Sequence, residues 1–156
     1  MIRVFIPKNV SLETGIFFPG PNTRANMSQM HQIVAYLVTN AWESISDDMG
    51  TITVSVKTVT AANISILHHF PVNWSPKENL YACIEVADTG SGITNADMEK
   101  IFDPFFTTKS VGRGLDLAVV LRFVSFHDGG LTVESEVGKG SIFRVFLPVS
   151  AEAVSV

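Results

Sequence analysis

The apolar residues change period twice between the N-terminus and Val59, and this change limits the chain to a layered α/β architecture. Residues 2–7 alternate bulky apolar with polar side chains and end at Pro7, the pattern of a strand. From about Asn26 to Ser46 the step lengthens. Met30, Ile33, Val34, Leu37, Val38, Ala41 and Ile45 recur three and four apart, which predicts a helix with one buried face. From Thr51 to Val59 the step returns to two, with Ile52, Val54 and Val56 against Thr53, Ser55 and Lys57, so one face of this strand is wet. A helix with one apolar stripe and strands with one apolar face bury each other in two layers.

The rest of the chain fits that frame. Glu13 to Phe18 is a second strand candidate, closed by Pro19-Gly20-Pro21. Asp47-Asp48-Met49-Gly50 ends the first helix, with two acids at the electrostatically unfavourable end. Residues 61–78 lose the alternation and carry Pro71, Asn73, Ser75 and Pro76, as expected of a long hairpin excursion. A strand over Leu80–Val86 follows, then a short helix over Asn95–Ile101 capped by Thr94, then a lid-like loop from Phe102 to Arg113. The second long helix runs from Gly114 to His127 and stops at Gly129-Gly130. Strands Leu131–Val137 and Ser141–Val149, joined by Gly138-Lys139-Gly140, close the chain. The expected fold is an α/β (α+β) two-layer sandwich, a mixed and mostly antiparallel sheet covered on one face by three helices. Residues 1–150 form one domain and 151–156 a tail.

Composition narrows the functions. At 156 residues with 46% apolar content the chain can bury an ordinary core. A net charge of -4 without a dense Lys/Arg cluster argues against a nucleic-acid surface, yet leaves room for a polyanionic ligand held by a local positive site. Cys83 is the sole cysteine, so no internal disulfide forms, a reducing compartment is the default, and its apolar neighbours suit a packed thiol. No run approaches the roughly 20 apolar residues of a membrane span, and no signal pattern opens the chain. A cytoplasmic domain without direct membrane contact is expected. Its start inside a strand-like run suggests a piece of a longer protein.

Four stretches carry chemistry. Asn40 and Glu43 share a helix face, where an amide oxygen suits Mg²⁺, although a solvated polar face with Trp42 and Glu43 outermost explains the same spacing. Asp88 ends a strand and enters Thr89-Gly90-Ser91-Gly92. Its carboxylate can accept from an exocyclic amine such as adenine's while Gly90 and Gly92 admit a flat base, or the segment is an ordinary Asx-capped turn. Phe102-Asp103-Pro104-Phe105-Phe106 is an aromatic hinge, and Thr107-Thr108-Lys109 after it offers hydroxyls and an ammonium to phosphates. Gly112-Arg113-Gly114 then opens a helix whose free N–H groups form an anion site, or is plain loop punctuation. The four histidines lack metal spacing and no nucleophile elbow is present.

Taken in order, Asn40, Asp88-x-Gly90-x-Gly92, the Phe102–Phe106 box, Gly112-x-Gly114 and Gly138-x-Gly140-Ser141-x-Phe143 resemble the ATP-binding catalytic domain of bacterial sensor histidine kinases. That fold is shared with gyrase, Hsp90 and MutL ATPases, and the resemblance spans roughly residues 2–149. It implies ATP and Mg²⁺ as cofactors. Asn40 would be the metal ligand and, with Lys109 and Arg113, part of the catalytic set. Asp88, Gly90, Gly92, Phe105, Thr107, Lys109, Gly112, Gly114, Leu115 and Ser141 would line the nucleotide. Phe102, Phe105 and Phe106 would anchor the lid.

The implied reaction is γ-phosphoryl transfer to a histidine on a dimerisation domain that this chain lacks. A response regulator would be an indirect partner, and the isolated domain would be a monomer. Two departures favour the alternative of a degenerate, regulatory nucleotide-binding module. Tyr36 stands where family members often carry Asn or an acid, which removes the base position of the ATPase branch. Asp116 stands where the family has glycine. A carboxylate about 6 Å from a phosphate oxygen costs roughly 2–3 kcal/mol at an effective dielectric of about 20. A serine-kinase anti-sigma factor of the same fold is a third reading.

Overall fold

The computed structural model describes residues 8–16, 27–45, 48–64, 68–103 and 114–149, and for 14–16, 27–29 and 114–116 the backbone alone. In chain order the elements are β1 (Val10–Ile16), α1 (Met27–Ile45), β2 (Gly50–Thr60), a 3₁₀ turn at Ala61–Asn63, β3 (His69–Phe70) and β4 (Leu80–Asp88). Then come α2 (Asn95–Met98), α3 (Gly114–Phe126), β5 (Gly130–Glu136) and β6 (Gly140–Pro148). The six strands make one sheet ordered β1-β2-β4-β6-β5-β3. β1 runs parallel to β2, and every other pairing is antiparallel. The mixed, mostly antiparallel two-layer sandwich is borne out.

The core lies between the helices and one face of the sheet, as the periods dictate. Ile33, Val34, Leu37, Val38, Ala41 and Ile45 of α1 are buried together with Leu117, Val120 and Val124 of α3. They meet Ile52 and Val54 of β2, Ile84 and Val86 of β4, Leu131 and Val133 of β5, and Phe143, Val145 and Leu147 of β6. Thr94 caps α2 as its sequence suggests, its hydroxyl accepting from the Asp97 N–H at 3.1 Å.

Three local expectations change. The strand expected at Glu13–Phe18 begins earlier, at Val10, because its partner Gly50–Val56 sets its span. The two-residue β3 pairs with Leu131 and Thr132 and is too short to show any alternation in sequence. The stop of α3 is also shifted. Asp128, at φ 60°, takes the left-handed conformation that short polar residues tolerate, and the His127 and Gly129 N–H groups both reach the Val124 carbonyl, at 3.1 and 2.9 Å. Gly129 serves a close approach instead, since a Cβ there would lie 2.3 Å from the Phe146 carbonyl oxygen. The strand expected over residues 2–7 and the tail lie outside the described residues.

The excursion between β2 and β4 has a structural use. Ile64, Tyr81, Cys83 and Phe146 form a second buried cluster, against which Val59, Ala61 and Trp74 pack. Trp74 stacks on Phe146 with centroids 6.2 Å apart and meets Tyr81 edge-on at 6.0 Å. The Tyr81 hydroxyl accepts from the Lys77 and Glu78 N–H groups at 2.9 and 3.2 Å, which ties the returning chain to β4. Residues 61–64 and 68–78 thus cover one end of the sheet face that the helices leave bare.

Candidate functional site

The other end of β4 delivers Asp88. Asp88 is buried, at 7% exposure, yet it is a carboxylate, so it needs donors. Two converge on Oδ1: the Gly90 N–H at 2.8 Å, and the Ser44 hydroxyl of α1 at 3.1 Å. The first is the Asx turn that Asp-x-Gly composition favours. The second joins the strand end to the last turn of α1. The same hydroxyl also lies 2.8 Å from the Ala41 carbonyl, so its one proton is shared between two acceptors.

The glycine turn is clamped from both sides. The Ser91 N–H donates to the Ser44 carbonyl at 3.0 Å, and the Ser91 carbonyl accepts from the Gly138 N–H of the β5–β6 turn at 2.8 Å. Gly90 passes so close to α1 that a Cβ would lie 2.0 Å from Ser44 Oγ. Gly92 has φ +78° and would put a Cβ 2.3 Å from the Glu136 carbonyl oxygen. Both glycines are therefore demanded by packing as well as by any ligand. Thr89 closes the inner edge, its hydroxyl accepting from the Thr51 N–H at 3.0 Å.

Ser141 faces Asp88 across the β4–β6 ladder. Its side chain is buried, and its hydroxyl lies 2.8 Å from that of Ser135. Ser135 in turn accepts from the Ile93 N–H at 2.7 Å and donates to the Gly140 carbonyl at 3.0 Å. Ser141 thus belongs to a hydroxyl pair that ties the outgoing end of the glycine turn to the sheet.

Asn40 lies one turn before Ser44 on α1 and is partly exposed. Residues four apart share a helix face about 6 Å along, so Asn40 stands on the side that reaches Asp88. Tyr36, a further turn back, packs against the core. Trp42 also packs against the core, which removes the reading of Trp42 and Glu43 as the outermost pair of a solvated face. Phe102 is buried and lies against Phe70, with ring centroids 4.5 Å apart, so the first aromatic of the hinge is anchored in the core. Gly114 is the first residue of α3, followed by Leu115, and Asp116 falls in its first turn. Phe105, Phe106, Thr107, Lys109, Gly112 and Arg113 lie outside the described residues.

Sequence reasoning brought Asp88, Gly90, Gly92 and Ser141 to one end of the sheet, and there the fold assembles them. It missed Ser44, Thr89 and Ser135. Ser44 had one available signal, a small hydroxyl residue four positions after Asn40 on the same face. Among the described residues no three His, Cys, Asp or Glu side chains gather to hold a metal, and no helix is long and apolar enough to cross a membrane.

The profile of the family described as Histidine kinase-, DNA gyrase B-, and HSP90-like ATPase matches residues 25–151. The chain belongs to this family. The relatives of this ATPase domain are sensor kinases. The sensor kinase CckA of Brucella abortus (strain 2308) is 39% identical over 127 residues, 80% of this chain and 13% of CckA. Sporulation kinase C of Bacillus subtilis (strain 168) is 31% identical over 151 residues, 97% of this chain and 29% of the kinase. The chain therefore spans less than a third of the length of these two relatives. Among solved structures, the nucleotide-free catalytic domain of the histidine kinase ThkA is similar with a TM-score of 0.69 at 23% identity, covering 92% of this chain and 82% of that one. Full-length ShkA in complex with AMPPNP gives 0.67 at 23% identity, over 90% of this chain and 26% of ShkA. At these identities the structural likeness establishes the fold. The family match and the sensor-kinase relatives together identify an ATP-binding domain of the sensor histidine kinase type.

Proposed function

We propose that this domain binds ATP with Mg²⁺ and donates the γ-phosphoryl group to a histidine on a dimerisation domain of its parent kinase, from which a response regulator receives it. One observation carries the proposal: a buried carboxylate, Asp88, fixed by two donors at a glycine turn. A carboxylate only accepts, and the Gly90 N–H and the Ser44 hydroxyl on Oδ1 orient Asp88 at the glycine turn, the chemistry that recognises an exocyclic amine such as adenine's. That donor set fits an adenine nucleotide.

Asp88 then reads the base, while Gly90 and Gly92 form the wall beside it and Ser141 braces that wall through Ser135. Asn40 supplies an amide oxygen to the metal, a hard ligand of the kind Mg²⁺ accepts alongside phosphate oxygens and water. Lys109, Arg113 and the Gly112 amide contact phosphates, and Gly114 and Leu115 open α3, whose first N–H groups are available to an anion. Phe105 and Thr107 belong to the lid, of which Phe102 is the core anchor. Bound Mg²⁺ neutralises phosphate charge, and the protein's own task is positioning. With Tyr36 in place of an acid or amide, the position on α1 that serves the ATPase branch as base holds a phenol, which suits transfer to a histidine better than hydrolysis.

Calorimetric titration with Mg²⁺ and a non-hydrolysable ATP analogue tests the binding half. Micromolar affinity that Asp88→Asn weakens at least tenfold supports it. Affinity unaffected by that substitution, or no binding at all, overturns it.

A further inference from the structure

We propose that Ser44 is a positioning residue for base recognition: its hydroxyl sets the plane of the Asp88 carboxylate, so that helix α1 controls how strictly adenine is selected. This rests on Asp88 as the reader of the adenine amine and adds a residue from outside the recognised motifs. Three observations meet at Ser44. Its hydroxyl lies 3.1 Å from Asp88 Oδ1. Its carbonyl receives the Ser91 N–H at 3.0 Å, so the backbone of the glycine turn is registered on the same residue. Gly90, whose N–H is the other donor to Oδ1, is packed so tightly on Ser44 that a Cβ would meet its hydroxyl at 2.0 Å and its carbonyl carbon at 2.7 Å.

Carboxylate, turn and helix are thereby held to one another at a single residue, the carboxylate through its side chain and the turn through its carbonyl. A hydrogen bond on Oδ1 resists rotation about the Cβ–Cγ bond. The Ser44 hydroxyl adds a contact to that same oxygen from a different element and so stiffens the carboxylate further. The hydroxyl's contact with the Ala41 carbonyl at 2.8 Å holds Ser44 in the rotamer that reaches Asp88. Asn40 precedes Ser44 by one turn of the same helix, so the element offering the metal ligand also orients the base reader.

The test compares two probes in the presence of Mg²⁺: a non-hydrolysable ATP analogue, and the matching purine riboside triphosphate analogue, which lacks the exocyclic amine. The natural chain is expected to prefer the adenine probe. Ser44→Ala should cut that preference about tenfold, the scale of one hydrogen bond to a charged group, with the purine probe bound as before. Added to Asp88→Asn, Ser44→Ala should change the preference no further, because the two act as one unit. A thermal melt of each variant separates loss of fold from loss of selectivity. If the natural chain prefers adenine and Ser44→Ala weakens both probes equally, Ser44 is only a packing residue and the proposal fails. If the natural chain binds neither probe, or both alike, Asp88 does not read the amine, and that failure lies in the underlying reading.

Discussion

At the scale of single residues, close packing decides more than side-chain chemistry. A methyl group at Gly90 would overlap Ser44, so Gly90→Ala must push the glycine turn away from α1. Overpacking of this kind costs about 1–3 kcal/mol. The expected result is a lower melting temperature and at least a tenfold loss of adenine-nucleotide affinity, measured by calorimetry on the folded variant. Cys83 shows burial acting on a titrating group. It is fully buried, and its thiol is pushed up from an ordinary 9.0 to about 11, chiefly by burial, with Lys57 and Arg144 opposing and Glu85 reinforcing. The folded chain therefore holds this proton more tightly than the unfolded chain does. Stability is unaffected below pH 9.0 and falls as the pH rises toward about 11. Iodoacetamide at about pH 8 should leave the native chain unlabelled and modify Cys83 once the chain is unfolded, since the thiolate is the nucleophile.

At the scale of elements, the two faces of the sheet are finished differently. The helices cover one. On the other, the excursion after β2 shelters Tyr81, Cys83 and Phe146, while Arg144 of β6 lies between Glu85 of β4 and Glu134 of β5, with Lys57 of β2 4.0 Å from Glu85. Trp74 is the main cover of the apolar end: its ring lies over Gly130, where a Cβ would come within 2.2 Å of it. Trp74→Ala should cost about 2–3 kcal/mol in urea unfolding, less than a fully buried tryptophan because this one is partly exposed. Tyr81 and Asp88 are seven strand residues apart, roughly 24 Å at the rise of an extended chain. Nucleotide affinity should therefore stay within about twofold of the natural chain, and a larger drop would mean that the excursion and the site are coupled.

At the scale of the whole molecule, the proposed function asks how a chain of net charge -4 would hold a polyanion. The start of α3 would be the local answer, and an acid at position 116 in its first turn would work against it, since a carboxylate there would compete with phosphate for the positive end of the helix. Asp116→Gly should tighten Mg²⁺–nucleotide binding by about ten- to a hundredfold, the affinity equivalent of the Coulomb cost at about 6 Å. An unchanged dissociation constant would show that the acid does not oppose the phosphates. Supplied with the dimerisation domain of its parent kinase, the chain should yield phosphohistidine on that domain, and none on itself alone.

The sequence by itself determined the two-layer architecture, the long helices and the end of the sheet where Asp88 and its glycines stand. Those features rest on the apolar period and on residues close together in the chain, which local preference can report. Tertiary structure alone decided that Ser44 holds Asp88 across 44 positions, that Ser135 pairs with Ser141 behind the glycine turn, and that β3 joins the sheet edge. It also decided that residues 61–64 and 68–78 cover the bare face. Ser135 and Ser141 face each other across one short hairpin, but the other contacts show at most one partner locally, because a hydroxyl or a tryptophan gains its partner only after helix and sheet have packed and brought distant segments within bonding reach.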